Sequence, residues 1–248
     1  MQDQNLILFL FLTLILFACK EETLSPKEVQ VGYEYYPLEV GKFLTYQVDS
    51  IVFDTVGTEV FVDTSSTLVR EAIVDSYEGE QGQEIFAIER SERKGEEEEW
   101  EIKDVYATYR TDAQAVRTEE NLTFIKMIFP VSRGKNWEGV GFDKGKRVII
   151  AGESIEMFKN WESVVSKVGE PLFLGNFAFD DVTTIEVARD TNAIELRSGF
   201  EQYAKGIGLV YRELSILNTQ NTFADSVLTW GEKAQEGFLL YQQLIDHN

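Results

Sequence analysis

Catalysis at neutral pH needs a nucleophile, a base or a metal ligand held at a fixed spacing, and this chain offers few. It contains one histidine, His247, beside its last residue Asn248. A Ser-His-Asp or Cys-His arrangement, or a zinc site built on imidazoles, needs that ring held inside the fold. A fraying chain end does not hold one, so histidine-based catalysis is not expected. Cys19 is the one cysteine, which leaves neither a disulfide framework nor a pair of thiols for a metal. Carboxylates are abundant, 43 Asp and Glu against 23 Lys and Arg, and glycoside hydrolysis needs only two of them across a cleft. The densest cluster, Glu96-Glu97-Glu98-Glu99, follows Gly95 between two strand-like stretches and reads as a solvated hairpin turn. Asp180-Asp181 lacks the Asp-x-Asp-x-Asp-Gly spacing of a calcium loop and reads as a loop before a strand at Val182. Gly139, Gly141 and Gly145 have the wrong spacing for a phosphate-cradling loop, and no strand-then-helix pattern flanks them. The expectation is no catalytic residue, no cofactor and no metal.

The cysteine closes a stretch reading LILFLFLTLILFAC, residues 6–19, interrupted only by Thr13. An α-helix crossing a bilayer needs about 20 apolar residues, so this stretch is too short to span and has the dimensions of a signal-peptide core. Leu16-Phe17-Ala18-Cys19 resembles the bacterial lipobox. That resemblance implies cleavage before Cys19 and a diacylglycerol on its thiol. Lys20-Glu21-Glu22 resembles the charged tripeptide of surface-exported Bacteroidetes lipoproteins. The implied address is the outer membrane, with the cell surface placed ahead of the periplasmic face. Residues 1–18 then form the signal peptide, residues 19–32 a lipidated tether, and residues 33–248 the folded domain. The formal charge of −20 opposes phosphate backbones and anionic headgroups. Nucleic-acid binding is not expected, and membrane attachment falls to the acyl chains.

The elements that position the remaining side chains read as strands. From residue 43 to 53 apolar and polar residues alternate, with Leu44, Tyr46, Val48 and Val52 on one face. Further strands fit residues 59–62, 67–76, 84–93 and 100–110, separated by turns at Gly57, Gly79, Gly82 and Gly95. Residues 122–131 are apolar on both faces except at Lys126, the pattern of a central strand ended by Pro130. Residues 133–139 read as a loop and 148–151 as a short strand. Residues 154–168 fit a helix or a strand, their second half favouring strand, and strands at 182–189, 193–203, 208–217 and 238–245 complete about ten. With 17 Phe, 10 Tyr and 4 Trp to fill a core, the expected fold is a single antiparallel β-domain with little helix. Its sheet curves towards a half-barrel or barrel.

The segments Tyr35-Tyr36-Pro37-Leu38-Glu39-Val40-Gly41, Phe124-Ile125-Lys126-Met127-Ile128-Phe129-Pro130-Val131, Gly134-Lys135-Asn136-Trp137-Glu138-Gly139 and Tyr203-Ala204-Lys205-Gly206-Ile207-Gly208-Leu209-Val210-Tyr211 resemble the landmarks of a family of uncharacterised Bacteroidetes lipoproteins. The resemblance runs over essentially the whole mature chain and implies no activity. Asp49-Ser50-Ile51, Asp54-Thr55-Val56 and Asp225-Ser226-Val227 resemble O-glycosylation sites of exported proteins of that phylum, marking Ser50, Thr55 and Ser226. Three functional readings follow. The first is a non-enzymatic, lipid-anchored envelope module that binds a protein or carbohydrate partner. The second is a carrier of a small apolar ligand in a half-barrel cavity faced by Trp100, Trp137 and Trp161. The third is a carboxylate-dependent hydrolase.

Overall fold

The computed structural model describes residues 31–119, 121–141, 145, 147–221 and 228–248. The signal stretch, Cys19, Lys20, Glu21, Glu22 and Ser226 therefore lie outside the described residues.

A first meander runs through β1 (Phe43–Val56), β2 (Glu59–Glu78), β3 (Glu84–Arg93), β4 (Glu101–Arg110), β5 (Gln114–Glu119) and β6 (Leu122–Ile128). A three-residue strand, β7 (Asn136–Glu138), and a separate small hairpin of β8 (Val148–Ile150) and β9 (Glu153–Ile155) follow. A second meander comprises β10 (Glu162–Leu174), β11 (Phe177–Thr191), β12 (Glu195–Ala204), β13 (Gly208–Asn218) and β14 (Glu236–His247), with one short helix, α1 (Trp230–Lys233), before β14. Pairing of β14 with β1 joins the two meanders into one twelve-stranded antiparallel sheet, with β6 at one end of the order and β7 at the other.

Those two ends meet. β7 pairs with β10, Trp137 opposite Ser163, and the residues just after it turn to β6. Phe124 bridges Val140, Ile125 N–H donates to Gly139 O at 2.9 Å, and Gly141 N–H donates to Thr123 O at 2.8 Å. The sheet is therefore a nearly closed barrel, which hides the backbone edges that an open sheet would expose. The same seam corrects two expectations. Residues 122–131 do not form a central strand: β6 stops at Ile128 and lies beside the closure. It reads as apolar on both faces because Met127 enters the main core while Leu122 and Phe124 pack with Phe158 and Met157 in a second cluster. Residues 133–139 are not simply a loop, since they contain β7.

The main core takes Tyr46, Met127, Val165, Ile185, Tyr203 and Leu244, all almost fully enclosed, with Leu44 and Val48 packed against them. Alternation in β1 thus reports the buried face over its first half, whereas further on Val52 is only partly buried and Phe53, with Ile51, packs on the other face against Leu217 and Ala234. The stretches read as 59–62 and 67–76 are one continuous strand, β2, and Asp180 and Asp181 lie inside β11 rather than in a loop. Pro171 does not stop β10, because it falls at a register shift between Glu170 and Leu172 where no ladder donor is needed. The C-terminus is tied down: Asn248 accepts from Phe43 N–H at 2.8 Å and donates to Gly41 O at 3.0 Å. His247 is consequently a strand residue opposite Leu44, its ring 5.6 Å from Phe177. One glycine sets the approach of two strands. Gly237 has φ 113°, and a Cβ there would lie 1.9 Å from Ile216 O.

Candidate functional site

Charged side chains meet inside the barrel. In strands whose alternate residues point inward, Glu71 of β2, Arg117 of β5, Lys126 of β6, Glu201 of β12 and Arg212 of β13 meet in the interior. Arg117 grips Glu71 with both terminal nitrogens, at 2.8 and 2.6 Å, and its Nε lies 2.5 Å from Glu119. Lys126 Nζ and Arg212 Nε both reach Glu201 Oε1, at 2.5 and 2.9 Å, while Tyr203 donates to Oε2 at 2.5 Å. Three acids thus face three bases.

The electrostatics follow from that pairing. Burial works to raise the Glu201 carboxyl, but Lys126 and Arg212 outweigh it and hold the group down at about 2. Burial also works to raise Glu71, and Arg117 holds it below the usual carboxylate range. For Lys126 burial wins: its ammonium is pushed below its ordinary value, and Glu201 offsets that only in part. The buried phenols are kept neutral, Tyr36 being pushed up to about 12 by burial. Tyr36 is hydrogen-bonded to Thr108 Oγ1 at 2.9 Å, and Tyr46 donates to Leu209 O at 3.0 Å.

Lys126 and Arg212 line two chambers. The first, about 70 Å³, is walled by Leu38, Ile73, Ile88 and Leu209. The second, about 190 Å³, is walled by Phe124, Met157, Phe158 and Trp161. Pockets that enclose small-molecule ligands are typically roughly 300–1,000 Å³.

A larger space lies outside the barrel wall at the seam. Pairing of β7 with β10 brings Asn136, Trp137, Lys159, Asn160, Trp161 and Glu162 around a cleft of about 610 Å³. Trp137 is fixed by its Nε1–H, which donates to Ile125 O at 2.7 Å. Trp161 packs edge-on to Phe158, with ring centres 4.9 Å apart, but its Nε1–H is buried without an acceptor. Asn136 donates to Glu162 at 2.6 Å and Asn160 to Asp190 at 2.7 Å, so both amides are held in place. The cleft therefore offers two indoles, two oriented amides, the carboxylates of Glu138, Glu156 and Glu162, and the Lys159 ammonium, which is paired with Glu195 at 2.9 Å.

Of the three tryptophans singled out from sequence, this cleft brings together Trp137 and Trp161. Trp100 is elsewhere. It lies between the guanidinium groups of Arg70 and Arg93, 4.6 and 4.5 Å from its ring, and Arg70 projects from the face of β2 opposite to inward Glu71. Trp100 therefore packs on the outer wall and faces no interior cavity. Ser50 is hydrogen-bonded to Ser65 Oγ at 2.9 Å, and Thr55 donates to Gln235 O at 2.8 Å, so both hydroxyls are engaged within the fold. Glu96 to Glu99 occupy the connection between β3 and β4, as read. Among the described residues, no three His, Cys, Asp or Glu side chains gather as a metal site. The interior charges were missed, although Lys126 stood out as the one break in an apolar run.

No protein-family model and no curated protein matches the chain. Two solved structures are similar to it in outline. One is a candidate exported protein with a YmcC-like fold from Bacteroides fragilis, 12% identical, with 86% of this chain and 97% of that one covered at a TM-score of 0.41. The other is a candidate lipoprotein from Parabacteroides distasonis, 10% identical, with 86% and 98% covered at a TM-score of 0.42. At such distance, the site must be read from this chain's own geometry.

Proposed function

We propose that this protein is a lipid-anchored β-barrel of the bacterial outer membrane that binds a carbohydrate without transforming it, at the cleft between β7 and β10. The observation that carries this reading is the cleft itself. Its roughly 610 Å³ falls in the range of ligand sites, and it pairs apolar indole faces with fixed polar groups. A sugar presents the matching combination of C–H faces and hydroxyls. The Trp161 Nε1–H is buried without an acceptor, so what Trp161 gives a ligand is its ring and not a hydrogen bond.

The apolar-carrier reading fares worse, because the interior chambers are small and crossed by ionised groups. For hydrolysis, one carboxyl must stay protonated near neutral pH, its pKa raised. Among the described residues, each carboxyl displaced from its ordinary range is displaced downward: Glu34, Glu71, Glu195, Glu201 and Glu232. Attachment rests on Cys19 and its lipobox-like context.

The test is titration of the intrinsic tryptophan fluorescence with a panel of soluble oligosaccharides, followed by chromatography of the sugars. Saturable quenching is expected with at least one, weakened about tenfold in Trp137→Ala, since a lost aromatic face is worth about 1.4 kcal/mol. Shortened sugars would overturn the non-catalytic part. Unchanged affinity in Trp137→Ala would overturn the site.

A further inference from the structure

The barrel hides its sheet edges at the seam but leaves other stretches open, among them the first part of β2. β2 pairs with β1 over its whole first part, from Glu59 opposite Val56 to Ala72 opposite Phe43. Its other neighbour, β3, joins only at Leu68. Among the described residues, β2 has a strand on one side only between Glu59 and Thr67. The side chains from Glu59 through Ser66 are all exposed, including Phe61 at 52% and Val62 at 56%. In an antiparallel ladder, alternate residues turn their N–H and C=O groups to opposite sides, so this stretch presents a row of unpaired backbone groups.

Natural proteins usually blunt such an edge with charged side chains, Lys above all, or with Pro, a bulge or a covering loop; here the charges are Glu59 and Asp63, which deter an acidic neighbour but not a basic one. Here the register over Glu59 to Thr67 is continuous, and the sequence EVFVDTSST contains neither Lys nor Pro. The charge on the hairpin is also one-sided. Asp49, Asp54, Glu59 and Asp63 are its acidic side chains, and no Lys or Arg occurs from Phe43 to Val69. A second copy of this acidic strand would bring like charges together, which disfavours pairing. A basic segment would not.

We infer that residues 59–66 of β2 form a docking edge for an extended, positively charged segment of a partner protein, which adds as a further strand. Main-chain hydrogen bonds to the open edge would supply the affinity. Val60, Phe61 and Val62 would give apolar contact, and the four carboxylates would select Lys- or Arg-bearing sequences and speed encounter.

The test uses the full-length protein in mild detergent and two synthetic peptides of about ten residues, one alternating Lys and Val and the other Glu and Val, a length suited to strand addition. Amide hydrogen exchange and titration are the readouts. The Lys peptide is expected to bind saturably, to slow exchange selectively within residues 59–66, and to weaken as salt rises from about 0.05 to 0.5 M. Val62→Lys, on an exposed side chain, should keep the thermal midpoint and lower affinity about tenfold through charge repulsion at the edge. Absent binding, protection elsewhere, or equal affinity for the Glu peptide would overturn the inference. So would a dimer of the protein alone that protects the same residues, because the edge would then belong to a second copy.

Discussion

Replacing Glu201 by Gln keeps shape and removes the charge that holds Lys126 and Arg212 together. A carboxyl held at about 2 against an ordinary 4.5 favours the folded state by about 3 kcal/mol at neutral pH. Removing one partner from a buried ion pair costs roughly 3–5 kcal/mol, because the other charge stays buried and uncompensated. The two routes agree, and for a domain of this size such a loss lowers the melting temperature by roughly 6–20 °C. The sign with pH follows from the direction of the shift. A depressed carboxyl contributes fully above its unfolded value and loses that contribution as pH falls from about 4.5 towards 2. Urea unfolding from pH 7 to pH 3 should therefore show a constant gap between wild type and Glu201→Gln above pH 5, narrowing below about 4. Adding Lys126→Met to the variant should recover part of the loss, since it removes one stranded cation. A cost under about 1 kcal/mol, the level of an exposed ion pair, or a gap that does not narrow in acid, would refute the account of the layer.

Other outcomes follow from single positions. Gly237→Ala should destabilise the protein by more than about 3 kcal/mol, since a Cβ 1.9 Å from Ile216 O forces β13 and β14 apart and a non-glycine φ of 113° adds strain; chemical denaturation measures it, and a loss under 1 kcal/mol would contradict this packing. Cys19→Ala should abolish incorporation of a labelled fatty acid and release the protein from membranes, and equal labelling of both forms would remove the lipid anchor from the proposal.

The parts of the fold legible in the sequence were those whose faces differ. Leu44, Tyr46 and Val48 alternate with polar neighbours, and the first half of β1 follows that pattern, while Val52 does not, since Phe53 and Ile51 on the other face are packed there. β5 was not legible, because Arg117 at its centre points into the barrel and erases the alternation that an apolar inward residue would have left. β7 was not legible either: three residues carry no period, and it forms a strand only because β10 is beside it.

The same limit governs the site. Trp100, Trp137 and Trp161 look alike as isolated aromatic residues, and their fates are decided by partners distant in sequence. The nearest strands give Trp100 two guanidinium groups, and it becomes part of the outer wall. Trp137 and Trp161 meet because β7 pairs with β10, and the residues that follow β7 close the barrel on β6, so one segment serves both the cleft and the seam. A change that opens the seam without touching either indole should therefore weaken sugar binding as much as loss of Trp137. Gly139 provides it, because a Cβ there would lie 2.4 Å from Ser163 Oγ on β10. If Gly139→Val were to unzip β7 and still leave binding intact, the cleft would not be the binding site.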